Sequence, residues 1–298
     1  MEPLQILILA AVTGAYARRT RTLARAGRPV PAARQAWFFG GVLLLLAALV
    51  SPIHALAEER LFYVHMVQHL LIGDLAALAI GLGLTGPILR PVLTLPGVHR
   101  LRVLAHPLIA LPLWAGNFVS WHVPTVYQAA LADEALHGLE HALFLATGAL
   151  MWAAVVEPLP GPAWFGSGPK ALYVLVVRAI ATAVASAFIW STAVFYPWYA
   201  AGEARSGVAA LTDQRIGGLI MFVEGGIVTL FVFAWLFLRW TRESELRQTL
   251  VDRGHHPAAA ARAARYGRSA LARRAAGPRP DLPVGGRAPS RKPQPPRP

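Results

Sequence analysis

The sequence contains no cysteine. Disulfide bonds and thiolate metal sites are therefore excluded, and any metal ion must be bound by histidine, methionine or carboxylate side chains. Charged residues are also scarce, at 14% of 298 residues, against about a quarter in soluble globular domains. The chain shows no glycine-rich phosphate loop and no internal repeat with a clear period. These absences argue against an ordinary soluble enzyme or a disulfide-stabilised scaffold.

Long apolar stretches take the place of the missing charge. Hydrophobic residues make up 55% of the chain, and the mean hydropathy is +0.47. Because about 20 apolar residues suffice to cross a bilayer as a helix, the pattern predicts an all-α membrane protein, a bundle of seven transmembrane helices. The predicted spans are Pro3–Ala17, Ala36–Leu56, Leu61–Leu84, Leu104–Trp121, Leu136–Val156, Leu172–Phe195 and Ile216–Trp240.

Acidic residues are few, 15 against 28 lysines and arginines, which gives a net charge of +13. Fourteen of the 28 basic residues lie at or after Arg239, and six more lie between Arg18 and Arg34. Basic charge at the flanks of membrane spans indicates orientation and contact with anionic lipid rather than a nucleic-acid partner. We therefore expect the N-terminus outside, the C-terminus in the cytoplasm and no nucleic-acid binding.

The composition changes near the end of the last predicted span. Residues 1–242 are expected to form the seven-helix transmembrane domain, and residues 243–298 a basic cytoplasmic tail rich in alanine, arginine and proline. A basic surface helix is expected over 243–276, followed by a disordered proline-rich end. The N-terminal MEPLQILILAAV lacks the positive segment of a signal peptide, so we interpret it as a retained first span.

Two histidine pairs have the same spacing in two different spans. His65 and His69 lie in HMVQH, and His137 and His141 lie in HGLEH. Residues four apart project from one face of a helix. With the expected orientation, both pairs lie in the outer half of their spans, and His122 lies at the outer rim. The sequence therefore predicts a metal site at the outer face, formed by His65, His69, His122, His137 and His141.

Three more residues are candidate additional ligands. Met66 adjoins the first pair, His54 ends the second span, and Glu140 shares a helix turn with the second pair. Imidazole suits copper, zinc and iron, and a thioether favours Cu(I). The alternatives at this point are a metal site, a haem site and a plain polar network, and Met66 alone is expected to be a packing residue.

Three charged residues within the apolar segments call for separate explanations. Asp74 in the third span and Arg178 in the sixth are expected to form a structural ion pair near the middle of the membrane. Glu224 in the seventh span is interpreted first as a structural acceptor, with a proton-binding or metal-binding group as the alternative.

Four segments resemble one family. HMVQH, WHVPTVYQAAL, HGLEHALFLATGALMW and DQRIGGLIMFVEGG occur in the order found in the CtaG family of membrane-embedded cytochrome c oxidase assembly factors. The resemblance covers about residues 35–240. It identifies His65, His69, His122, His137 and His141 as the family's histidines, and Asp213 and Gln214 as the opening of its last motif. Phe222 stands where tryptophan is more usual.

The resemblance implies a non-enzymatic protein of the bacterial plasma membrane that helps to mature a haem-copper oxidase. Its partner would be an oxidase subunit, and its cofactor or cargo copper. Two other functions remain open on the residues alone. One is a haem-binding electron carrier with axial histidines, and the other is an intramembrane zinc hydrolase with Glu140 as base. A scaffold for the oxidase subunit would also fit the assembly role.

Overall fold

All regular structure in the described part of the chain is helical. The computed structural model describes residues 3–50, 56–57 and 60–267. Its helices are α1 Pro3–Arg25, α2 Ala32–Val50, α3 Phe62–Gly83, α4 Gly86–Leu93, α5 Pro107–Trp121, α6 Pro124–Ala132, α7 Glu134–Val156, α8 Ser167–Trp190, α9 Ala200–Ser206, α10 Ala210–Asp252 and α11 Pro257–Tyr266. Short 3₁₀ helices occur at Val98–Ala105 and Pro197–Tyr199.

Five of these helices are long and apolar enough to cross a membrane, namely α2, α3, α7, α8 and α10. The first and fourth predicted spans also form helices, α1 and α5, but neither is among the five. Helix α5 has 15 residues, fewer than the roughly 20 that span a bilayer without thinning it. The all-α membrane fold is thus confirmed, whereas the count of seven spans and the orientation stay predictions.

The chain divides into two compact units, Met1–Phe237 and Leu238–Pro298. In the first unit, α3 packs against α2 on one side and α7 on another, and α7 also packs against α5 and α6. The largest apolar core joins residues of these helices to the aromatic side chains of the segment before α9. Helices α3 and α7, which carry the two histidine pairs, therefore lie next to each other.

The second unit contains the end of α10 and helix α11. Leu250, Ala260 and Ala263 form its small buried core. Arg239 donates from Nε to Glu243 Oε1 one helical turn away. The helix predicted over 243–276 is thus two helices in the described part of the tail. The predicted disordered end, from residue 277, lies outside the described residues.

An ion pair is buried near the C-terminal end of α7. Lys170 Nζ lies 2.8 Å from Glu157 Oε2 and donates to the Val155 carbonyl oxygen, also at 2.8 Å. Only 1% of the Lys170 side chain is exposed. Removing one partner of a buried pair leaves an uncompensated charge, which costs about 3–5 kcal/mol.

We therefore expect Lys170→Met to lower the unfolding temperature of the detergent-solubilised protein substantially. The double variant Lys170→Met, Glu157→Gln should recover much of the loss, because neither partner is then left charged and buried. Equal destabilisation by the single and double variants, measured by thermal unfolding, would contradict this role for the pair.

Candidate metal centre

The two helices that carry the histidine pairs both begin at an aspartate cap. In α3, the backbone N–H groups of Phe62 and Tyr63 donate to the Asp213 carboxylate at 2.8 and 2.9 Å. In α7, the Leu136 N–H donates to Asp133 Oδ1 at 2.9 Å. A carboxylate at a helix N-terminus satisfies unpaired N–H groups and interacts favourably with the helix dipole. These caps fix where each helix starts, and hence the depth of the histidines.

Glycine allows α3 and α7 to approach closely. A Cβ atom added to Gly148 of α7 would overlap the carbonyl oxygen of Gly73 in α3, and one added to Gly73 would contact Phe144 at 3.3 Å. Gly73 lies in a π-helical turn, Leu71–Ala76, which interrupts α3 just after His69. Such turns are frequent at functional sites. The backbones therefore nearly touch below the histidines, and the imidazole rings fill the space between the helices.

Four histidines converge at this interface: His65, His69, His137 and His141. One ligand atom of each lies within 4.8 Å of those of the other three, and all four side chains are buried. The rings of His65 and His137 stack at a centroid distance of 5.2 Å, and those of His69 and His141 meet edge to face at 5.5 Å. Both sequence pairs thus contribute to a single cluster.

The shortest contact in the cluster joins the Nε2 atoms of His65 and His69, at 2.7 Å. A hydrogen bond at this distance requires a proton on one of the two nitrogens. Two imidazole ligands of one tetrahedral ion, at about 2.0–2.1 Å from it, would have nitrogens roughly 3.3 Å apart. Binding an ion here would therefore displace the proton and separate the rings slightly.

A hydrogen-bond chain leads away from the other side of His65. Its Nδ1 lies 3.1 Å from the Tyr199 hydroxyl, which lies 2.8 Å from the Tyr127 hydroxyl. Burial is the main cause that raises the pKa of both tyrosines well above the usual value, so both hydroxyls stay neutral. A His65 Nδ1–H that donates to Tyr199 leaves Nε2 as the lone-pair nitrogen facing the cluster. This is the outer-shell arrangement that orients metal-binding imidazoles.

Glu140 supplies a buried carboxyl group to the same cluster. Its Oε1 lies 3.6 Å from His69 Nε2 and its Oε2 lies 4.0 Å from His137 Nε2. The side chain is fully buried, and neither oxygen has a hydrogen-bond partner among the described residues. A buried carboxyl group without partners costs free energy unless a cation compensates it. The donor set, four imidazoles and one carboxylate, therefore fits a metal cation.

The remaining predicted residues lie apart from the four-histidine cluster. His122 is buried at the end of α5, where Nδ1 lies 2.6 Å from the Phe118 carbonyl oxygen, and it is outside the group of four. Met66 is buried on α3 and lines a cavity beside His69. His54 lies outside the described residues. Ligation by any of these residues stays a prediction.

Asp74 and Arg178 do not form the predicted ion pair in the described structure. Asp74 Oδ1 accepts from Trp152 Nε1 at 2.7 Å, and the Arg178 guanidinium donates to the carbonyl oxygens of Met221 and Phe222. The indole and the backbone carbonyls thus supply the partners. Glu224 lies close enough to interact electrostatically with both Asp74 and Arg178.

Several residues that position the cluster carry no local sequence signal of that role. Asp213 and Gln214 open the last motif, yet only the fold shows that Asp213 caps α3 while Gln214 binds the backbone of Phe195 and Ala193. Tyr199 comes from a loop 130 residues after the first histidine pair. The one available signal was DQ at the start of a predicted helix, which is typical of a capping position.

Glu203 of α9 adjoins the Asp213 cap. Burial and, second, the Asp213 charge raise the pKa of Glu203 to about 7. Glu203 therefore retains its proton below neutral pH and can donate it to the Asp213 carboxylate. This leaves Asp213 as the charged member that caps α3.

We expect Asp213→Ala to destabilise the protein by about 1–2 kcal/mol, because two N–H groups of α3 lose their acceptor. Thermal unfolding in detergent would measure the loss. Asp252→Ala is the matched control, since Asp252 is exposed near the end of α10 and accepts from Gln248 on its own helix. Similar unfolding temperatures for the two variants would show that Asp213 is not a significant cap.

Comparison with known proteins agrees with the position of these motifs. The family model described as cytochrome c oxidase caa3 assembly factor matches residues 14–243. No curated protein and no solved structure matches the chain. The matched region contains both histidine helices, the Asp213 cap and all of the cavity beside His69. The chain therefore belongs to the cytochrome c oxidase caa3 assembly factor family.

Proposed function

We propose that this protein binds copper at the four-histidine cluster and transfers it to the catalytic subunit of a haem-copper oxidase. The observation that supports the proposal most strongly is the convergence of His65, His69, His137 and His141 in a chain of an oxidase assembly family. Imidazole is a good ligand for copper in either oxidation state. In this proposal the protein is a carrier, and it catalyses no reaction.

The charge of the cluster favours a cation. Four neutral imidazoles provide lone pairs, and Glu140 provides the anion that compensates a bound ion. Because His69 shares a proton with His65, copper binding would release that proton, and Glu140 Oε1, 3.6 Å from His69 Nε2, is a nearby acceptor. Copper rather than zinc is assigned because the family's product, an oxidase, contains copper centres.

The close packing of the rings favours an ion over a haem group. His65 and His137 stack directly, and His137 and His141 have centroids 4.3 Å apart. A porphyrin needs two axial ligands with a macrocycle between them. These neighbouring rings leave no such gap.

The proposed setting is the bacterial plasma membrane, with seven spans and the cluster near the outer face. Basic residues concentrated between α1 and α2 and after α10 support this orientation. Copper would then enter from the outside of the cell. The basic tail, including its described helix α11, would lie near anionic lipid of the cytoplasmic leaflet.

A deletion strain tests the assembly role. We expect its purified oxidase to contain little copper, and the wild-type gene to restore both copper and activity. A gene encoding His65→Ala, His69→Ala, His137→Ala and His141→Ala should not restore them. His255→Ala, which changes an exposed histidine of the tail, is the matched control and should restore both.

Two results would contradict the proposal. Normal oxidase copper in the deletion strain would remove the assembly role. Full restoration by the four-alanine protein, present in the membrane at the wild-type level, would leave a scaffold role instead of copper transfer.

A further inference from the structure

A cavity of about 70 Å³ lies beside the four-histidine cluster. His69 belongs both to the cluster and to the cavity wall, and His122 lines the same wall. Asp74 and Glu224 also line the cavity, and Asp74 is five residues after His69, or about 7 Å further along α3. The cavity is therefore continuous with the cluster and reaches towards the middle of the bundle.

All the internal methionines of the chain line this cavity. The sequence has four methionines, and the three after Met1 are Met66, Met151 and Met221. Each is buried, with 1%, 2% and 4% of its surface exposed. They come from three different helices, α3, α7 and α10, and all face the same space.

The three thioethers lie at successive depths. Met66 is beside Gly217 of α10, and Met221 is four residues, or about 6 Å, further along that helix. Met151 precedes Trp152, whose indole donates to Asp74. The methionines thus extend from the level of the histidines to the level of the carboxyl groups.

The charges around the cavity also favour a cation. Asp74 and Glu224 contribute two carboxyl groups, and Arg178 contributes one guanidinium group. With all three ionised, the wall carries one net negative charge. The Arg178 N–H groups donate to main-chain carbonyls of α10, and neither Glu224 oxygen has a hydrogen-bond partner at bonding geometry among the described residues.

Methionine often fills irregular gaps in apolar cores, and that role alone would explain one such residue. It does not explain why three methionines from three helices line one cavity with two histidines and an excess carboxyl group. Thioether sulfur with imidazole is a ligand set that selects Cu(I) among the common biological cations.

We propose that this cavity is a second metal site, specific for a monovalent soft cation, which holds Cu(I) on the thioethers of Met66, Met151 and Met221. The site rests on the proposed function, since it would exchange copper with the histidine cluster through His69. It gives the carried copper an oxidation state and a route into the bundle.

Copper K-edge X-ray absorption of the purified full-length protein tests this proposal. The protein would be loaded in detergent with two equivalents of Cu(I) under reducing conditions. Because the chain has no cysteine, any copper–sulfur scattering must come from methionine. We expect copper–sulfur scattering together with copper–nitrogen scattering, and two bound equivalents.

The variant Met66→Leu, Met151→Leu, Met221→Leu should bind one equivalent, with nitrogen scattering only. Leucine conserves the volume of methionine and usually costs less than about 1.5 kcal/mol per site, so the fold should persist. The Cu(II) signal of the histidine cluster in the same variant reports that persistence.

The outcomes separate the two proposals. Nitrogen-only scattering from the wild-type protein, with copper bound, would overturn the second site and leave the histidine site standing. Sulfur scattering with an unchanged nitrogen shell in the four-alanine protein would overturn histidine ligation and leave the second site standing. Unchanged sulfur scattering in the triple leucine variant would overturn the methionine assignment.

Discussion

Replacing Gly148 with alanine is expected to destabilise the protein and to weaken copper binding at the histidine cluster. The new methyl group would overlap the Gly73 carbonyl oxygen, which is backbone and has no rotamer by which to move away. Overpacking of a tight contact costs about 1–3 kcal/mol or more. Relief of the overlap requires α3 and α7 to separate, and these helices each carry one histidine pair.

The effect on copper should follow from that separation. If about 1.4 kcal/mol of the strain is borne by the site, copper affinity falls about tenfold. A competition titration with a chromogenic copper chelator would measure the affinity, and thermal unfolding would measure the stability. Gly116→Ala in α5 is the matched control, because its added Cβ has no atom within 4 Å. Alanine is favoured over glycine in a helix by about 0.5–1 kcal/mol, so the control should be at least as stable as wild type.

Equal copper affinities for the Gly148 and Gly116 variants would show that the spacing of α3 and α7 does not determine the site. A well-folded Gly148→Ala protein with wild-type stability would contradict the close approach itself.

Replacing Glu140 with glutamine is expected to change stability and copper affinity in opposite directions. Without metal, the variant should be more stable than wild type, since a fully buried carboxyl group without hydrogen-bond partners is replaced by a neutral amide. Copper affinity should fall by about 10-fold to 100-fold, the range typical for loss of an outer-shell partner of a metal site.

This opposition distinguishes a functional residue from a packing residue. A purely structural Glu140 would lose stability on substitution and leave affinity unchanged. Glu134→Gln is the matched control, because Glu134 is exposed in the first turn of the same helix α7. Metal-free unfolding temperature and copper affinity should both remain at wild-type values in that control. Wild-type copper affinity in the Glu140 variant would contradict the charge-compensating role.

The sequence predicts the cluster better than it predicts the structure that supports it. The spacing in HMVQH and HGLEH places each histidine pair on one helix face, and hydropathy brings the two helices into one bundle. These two steps are sufficient to predict that the pairs meet, as they do. Neither step specifies helix rotation, so His122, predicted with the others, could not be distinguished from the four that converge.

The boundaries that differ also have physical reasons. Helix α7 begins at Glu134 instead of the predicted Leu136, because the Asp133 carboxylate caps it. Helix α10 continues to Asp252, beyond the predicted end of its span at Trp240, because alanine-free polar residues such as Glu243 and Arg247 also favour helix. Hydropathy detects the apolar part of a helix and not its full length.

Long-range polar contacts are the part that the sequence could not supply. The predicted Asp74–Arg178 pair was reasoned from charge and depth alone, whereas Trp152 and the α10 carbonyls provide the observed partners. The Tyr199–His65 hydrogen bond joins residues 134 positions apart. Such contacts depend on the tertiary packing of several helices, and no local pattern encodes them.

The most direct test of the central claim is electron paramagnetic resonance of the purified protein loaded with one equivalent of Cu(II). The account predicts a single copper signal with nitrogen couplings from imidazole, absent from the His65→Ala, His69→Ala, His137→Ala, His141→Ala protein and retained in His255→Ala. The thioether site does not interfere, since it is proposed to hold Cu(I), which gives no such signal. The same imidazole-coupled signal in the four-alanine protein would contradict copper binding at the cluster.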